Sequence, residues 1–205
     1  PETSFPTLLQ WWVGHNPRGR HIWPGGSLYS VAPERQAAET VRQIRYTRQI
    51  PGASGYIHWT ARALLQDRGG LVSALASQSY NQPALVPASP WLDPRAPAKP
   101  TLRLLGGRNT GLKLAWSGAT PDSVWLWLVQ IKQETTWTTQ ILPNRQNTLD
   151  LPTGQWPALV ALRAVGRTGN LSEPAVFEQR APPTKKPAPK PPPPKASGAD
   201  KPGKK

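Results

Sequence analysis

Residues 52–65 read GASGYIHWTARALL, and the first half of the chain folds according to how this stretch is read. A glycine-rich approach leads into residues 56–59, a short run of β-formers. Thr60 then stands where a helix cap belongs, and ARALL continues with helical spacing. A strand this short needs neighbours, so the rest of the sheet has to be found.

Upstream, RHIW (20–23) reads as a second strand and PGG (24–26) as the turn after it. RQAAETVRQIRYTRQI (35–50) places Ala37, Val41, Ile44 and Arg48 on one face of a helix. Downstream, ARALLQD and LVSALASQ read as two helices broken at Gly69-Gly70. The order strand, helix, strand, helix argues for parallel α/β units. Two parallel strands cannot cover their own faces and edges, so the pattern reads as the last two βα units of a larger layer.

The second half behaves differently. TLRLL, GLKLAW, SVWLWLVQIK, TWTTQIL, NTLDL, PALVALRAV and AVFE are seven short apolar or alternating runs separated by turn residues. That spacing fits an all-β sandwich over 96–180. Trp116 reads as core. Trp125 and Trp127 share a face by alternation, which raises a carbohydrate platform and, more simply, a wall of the core.

The 205 residues carry 25 Lys and Arg against 11 Asp and Glu, a net charge of +14. The chain has 26 Pro, 17 Gly, no Cys and no Met. Without Cys there is no disulfide framework and no thiolate metal site. His15, His21 and His58 lack metal-ligand spacing, and no cofactor is expected. Starting at Pro1 without Met, the chain is expected to be processed or cut from something longer. No signal peptide and no membrane-spanning run is visible. Residues 181–205 hold seven Lys, one Asp and no large apolar side chain, so a disordered basic Pro/Lys tail is expected. Six of the fourteen net positive charges belong to it.

Two resemblances sharpen this reading. NPRGRHIWPGGSLYSV, ETVRQIRYTR, PGASGYIHWTARALL and YNQPALVPASPWLD make residues 1–95 resemble the C-terminal end of the glycosyl-hydrolase-like family 10 barrel. Trp116, the long third strand and RAVGRTGNLSEPAVF make residues 96–180 resemble a fibronectin type III domain. The first resemblance implies the terminal units of a (β/α)8 barrel. It also implies a bacterial envelope or secreted setting, periplasmic or lipoprotein, and O-glycosyl hydrolysis of a polysaccharide, with peptidoglycan glycan strands as one substrate.

Glycoside hydrolysis usually needs a pair of carboxyl groups, and in a barrel they sit at the C-terminal ends of strands. Glu2, Glu34, Glu39, Asp67 and Asp93 end no expected strand. Glu34 and Glu39 read as residues near a helix start, favoured there by the dipole. The catalytic pair is therefore expected upstream of Pro1, and this chain alone is not expected to catalyse. Trp23, Tyr29, His58 and Trp59 are the expected substrate-binding residues, since aromatic rings stack on sugar faces and imidazole pairs with hydroxyls. Alternation lets only one of His58 and Trp59 face the site; His58 is expected there, with Trp59 packed under the helices.

Two rival functions stay open. One is a non-catalytic envelope scaffold whose tail contacts anionic wall polymers. The other is a nucleic-acid binder, which the charge allows but no reading motif accompanies.

Overall fold

The computed structural model describes residues 4–28, 33–107, 111–118, 123–154 and 156–179. The Pro33 and Glu34 side chains, Glu2, Tyr29 and the tail 181–205 lie outside the described residues.

The first half is a helical layer on a small parallel sheet. Helix α1 (Phe5–Gly14) opens it, with the Ser4 hydroxyl accepting from the Thr7 amide 3.4 Å away and a proline in the first turn. The sequence reading assigned no element to these residues, although a Ser cap followed by Pro is a helix-start signal. Strand β1 (Gly25–Ser27) follows, then helix α2 (Pro33–Gln49), strand β2 (Ile57–Trp59), helix α3 (Ala61–Leu65), a 3₁₀ turn (Arg68–Gly70) and helix α4 (Leu71–Gln78). β1 and β2 pair in parallel, Gly25 with Ile57 and Ser27 with Trp59.

RHIW is not the strand. Ile22 makes only an isolated bridge to Ala53, and the paired strand is the segment expected to turn. The glycines are the reason. Tyr56 lies across Gly26, where any Cβ would run into its ring. Three steps separate Ile22 from Gly25, but four separate their partners Ala53 and Ile57, so the second strand carries one extra residue, a bulge. The Trp23 ring fills that site over Gly55, whose Cβ would come within 2.9 Å of it.

The α2 face that carries Ala37, Val41 and Ile44 packs with Leu28, Ala63, Leu71, Leu75 and the Tyr56 ring into one apolar cluster. Arg35, Arg42 and Arg45 stay in water on the opposite side.

The second half is a sandwich of two antiparallel sheets. Its strands are β3 (Thr101–Gly107), β4 (Gly111–Ser117), β5 (Leu126–Gln133), β6 (Thr136–Pro143), β7 (Thr148–Leu151), β8 (Leu159–Val165) and β9 (Ala175–Glu178). They order as β3-β4-β7 and β6-β5-β8-β9. All seven expected runs form strands. Leu112, Leu114 and Trp116 from one sheet meet Trp127, Val129, Ile131, Val160 and Leu162 from the other. Trp116 and Trp127 touch edge to face, 6.2 Å between centroids. The Trp127 indole N–H donates to the Asn144 carbonyl, which satisfies its one polar atom at the rim of the core. Trp125 does not share this fate: it is 41% exposed against 5% for Trp127, because it precedes the strand and alternation does not yet apply.

Candidate functional site

Strand β2 shows two different faces. Tyr56 and His58 point toward the helices. The Tyr56 hydroxyl donates to Gln43 Oε1 on α2 at 2.7 Å, and His58 Nε2 is hydrogen-bonded to the Tyr80 hydroxyl at 2.9 Å, just beyond α4. Arg48, at the end of α2, holds this corner: its guanidinium donates to the Ser79 carbonyl and lies 5.7 Å from the Tyr80 ring centre. Burial pushes the Tyr56 phenol up to about 12, helped by the neighbouring Tyr80 and Glu39. Burial alone lowers the His58 imidazole below its ordinary value, so it is held neutral.

The other face is open. Gly25, Ser27, Ile57 and Trp59 are all exposed, and Trp59 reaches 67%. The expected facing is therefore reversed. His58 belongs to the helix-packed side and Trp59 to the open side, because both α2 and α4 lie over the Tyr56/His58 face. Alternation was legible; which face the helices would cover was not, since a tyrosine and a histidine look less buriable than an isoleucine and a tryptophan until Gln43 and Tyr80 supply their partners.

Leu28 ties the C-terminal ends of the two strands together. Its amide donates to the Trp59 carbonyl at 2.7 Å, while its own carbonyl accepts from the Arg68 guanidinium and from the Gln36 amide. The backbone beside Trp59 is thus set by three elements at once.

Trp23 lies elsewhere. It precedes β1, and its indole N–H donates to Ser54 Oγ at 2.9 Å. It stands at the N-terminal end of the pair, roughly 13 Å along the strand from the end that Trp59 closes. It stacks on His21, 5.7 Å between centroids, and lines a cleft of about 410 Å³ with Phe5, Leu8 and Trp12. The structure therefore does not bring Trp23 together with Trp59, and Tyr29 lies outside the described residues. The sequence reading missed the grouping of His21, Trp23 and Ser54; the i, i+2 spacing of the two rings was the available signal.

The described carboxylates of the helical half are all engaged. Glu39 is bonded to Arg42 and Gln43 in the middle of α2, not in its first turn. Asp67 accepts from the Val72 amide at 2.8 Å, and Asp93 pairs with Arg95 at 2.9 Å. Among the described residues no group of three or more His, Cys, Asp or Glu is placed to hold a metal ion.

No family model matches the chain. It is 33% identical over 105 residues to the glycosyl hydrolase YngK of Bacillus subtilis (strain 168), a match that takes in 48% of this chain and 21% of that protein. The chain has a distant relative among glycosyl hydrolases. It spans about a fifth of that relative's length. Among solved structures, the Endo-D glycoside hydrolase domain of Streptococcus pneumoniae R6 overlaps 40% of this chain and 15% of its own, at 18% identity and a TM-score of 0.26. An Fn3-like protein from Clostridium thermocellum overlaps 43% of this chain and 99% of its own, at 20% identity and a TM-score of 0.30. Likenesses of this extent identify neither a fold nor an activity.

Proposed function

We propose that this chain is the C-terminal portion of a glycosidase that hydrolyses O-glycosyl bonds in a bacterial polysaccharide, with peptidoglycan glycan strands as one candidate substrate. Residues 1–95 are the last βα units of its barrel, 96–180 a fibronectin type III-like sandwich, and 181–205 a basic tail. The relationship to a glycosyl hydrolase supports the reaction class. The β3-β4-β7 and β6-β5-β8-β9 sheets support the sandwich assignment.

The observation that carries the reading is Trp59. It closes a parallel strand at its C-terminal end, on the face turned away from the helices, and is 67% exposed. In a barrel that face is the interior and that end bears the active site. An indole there offers a flat apolar surface for the C–H face of a sugar ring. Trp59 therefore replaces His58 as the principal substrate contact, and His58 holds the strand from behind. Tyr29, two residues beyond Ser27 in the sequence, stays a second proposed substrate contact. The acid and its partner carboxylate are proposed to lie outside this chain; in support, among the described carboxylates of the helical half Glu39 and Asp93 are held in ion pairs and Asp67 accepts at a helix start.

The rival reading, an envelope scaffold that binds glycan without cutting it, is favoured by that same engagement of the carboxylates. The cell envelope is the proposed setting. The six net positive charges of the tail suit general attraction to anionic wall polymers rather than sequence-reading of nucleic acid. Incubating the complete protein with purified wall glycan and assaying new reducing ends separates hydrolase from scaffold.

A further inference from the structure

Residues 86–95 join the helical half to the sandwich, and both sides grip them. On one side His21 bridges two serines: Nδ1 lies 3.0 Å from Ser54 Oγ and Nε2 3.2 Å from Ser89 Oγ. Its ring also meets Trp91 edge to face, 4.7 Å between centroids, and the Arg20 guanidinium sits 4.6 Å from the Trp91 ring centre. On the other side the Ser89 amide donates to the Thr168 carbonyl at 2.7 Å. Asn170 Nδ2 donates to the Asp93 carbonyl at 2.5 Å and to the Arg95 carbonyl at 3.1 Å. Between these bonds Gly169, with φ of +81°, lies so close to the segment that a Cβ would come 2.9 Å from Ala88 Cα and 3.1 Å from the Val86 carbonyl oxygen.

We propose that residues 86–95 form a rigid mount rather than a flexible linker, clasped by His21 on one side and by the 168–170 turn on the other. Ser89 is the shared point, its hydroxyl engaged by one half and its amide by the other. Pro87, Pro90 and Pro94 stiffen the segment further by fixing φ. The mount sits beside His21, which precedes β1, and Trp59 remains 67% exposed, so the sandwich does not close over that residue. The Asn170-Leu171-Ser172 triplet, a glycosylation pattern by sequence, is accounted for by the same contact: the Asn170 amide is buried and holds two linker carbonyls. None of this rests on the glycosidase reading.

The test is amide hydrogen exchange on the intact 205-residue chain, comparing wild type with Asn170→Ala, His21→Ala and Gly169→Val. The Ser89 amide is expected to be protected in the wild type. Each variant is expected to lower that protection about tenfold or more, while Val129 and Leu162 in the sandwich core keep theirs. If Gly169→Val also strips protection from Leu162, it has unfolded the sandwich, and the two side-chain truncations then decide. A Ser89 amide that exchanges freely in the wild type overturns the proposal. So does protection that neither Asn170→Ala nor His21→Ala alters.

Discussion

His58 is held neutral by burial, and that has a sign. Its folded pKa lies below the unfolded value of 6.5, so the unfolded chain binds more protons in the window just under 6.5. The contribution is present above that value and is lost as the pH falls toward and through the lowered folded pKa. Urea midpoints of the helical half, compared between wild type and His58→Gln, are expected to differ by a constant amount at pH 7–8 and by a shrinking amount below 6.5. A difference that ignores pH would remove the burial argument. Asp93 gives a second check. Hydrogen bonds from the Arg95 side chain lead in lowering its carboxyl to about 2 from 3.8. A carboxyl NMR titration is expected to find that low value in the wild type and to see it climb toward 3.8 in Arg95→Gln.

At the scale of elements, the two halves differed in how much of them could be read. The sandwich was legible because each strand alternates or runs apolar for four to ten residues between turn signals, and inter-sheet packing then has one solution for Leu112, Leu114 and Trp116. The small parallel sheet was not. Its first strand is Gly-Gly-Ser, a sequence with no β propensity, and it is a strand because Tyr56 needs Gly26 beneath it. No local pattern announces a contact thirty residues away. Helix α1 was readable from its cap, but its apolar residues lie on all sides, with Leu9 buried and Leu8, Trp11 and Trp12 exposed, so it has no single periodic face. The sandwich core makes its own prediction. Leu114 and Leu162 are fully buried, one from each sheet. Either one changed to Ala is expected to destabilise the sandwich by about 2–5 kcal/mol in a denaturant titration. A change under about 1 kcal/mol would mean that the two sheets do not pack as described.

For the whole molecule, the open face of the parallel sheet is the feature that ties fold to function. Gly25, Ser27, Ile57 and Trp59 lie bare on one side while α2 and α4 cover the other. A parallel sheet is ordinarily covered on both faces. The sequence reading reached this need for further layers and the likeness to a glycosyl hydrolase, but not the facing of Trp59 or the displacement of Trp23 to the far end. Both depend on where the helices dock and on a one-residue bulge, and neither leaves a trace in spacing. The central claim is that Trp59 carries a sugar ring for a hydrolase. It is tested most directly by reducing-end release from purified wall glycan by the complete protein, wild type beside Trp59→Ala. The account predicts release by the wild type and a loss of about tenfold or more in kcat/KM for the variant, with the Ser89 amide still protected in both. Glycan bound but left uncut by the wild type, or cut equally well without the indole, would contradict it.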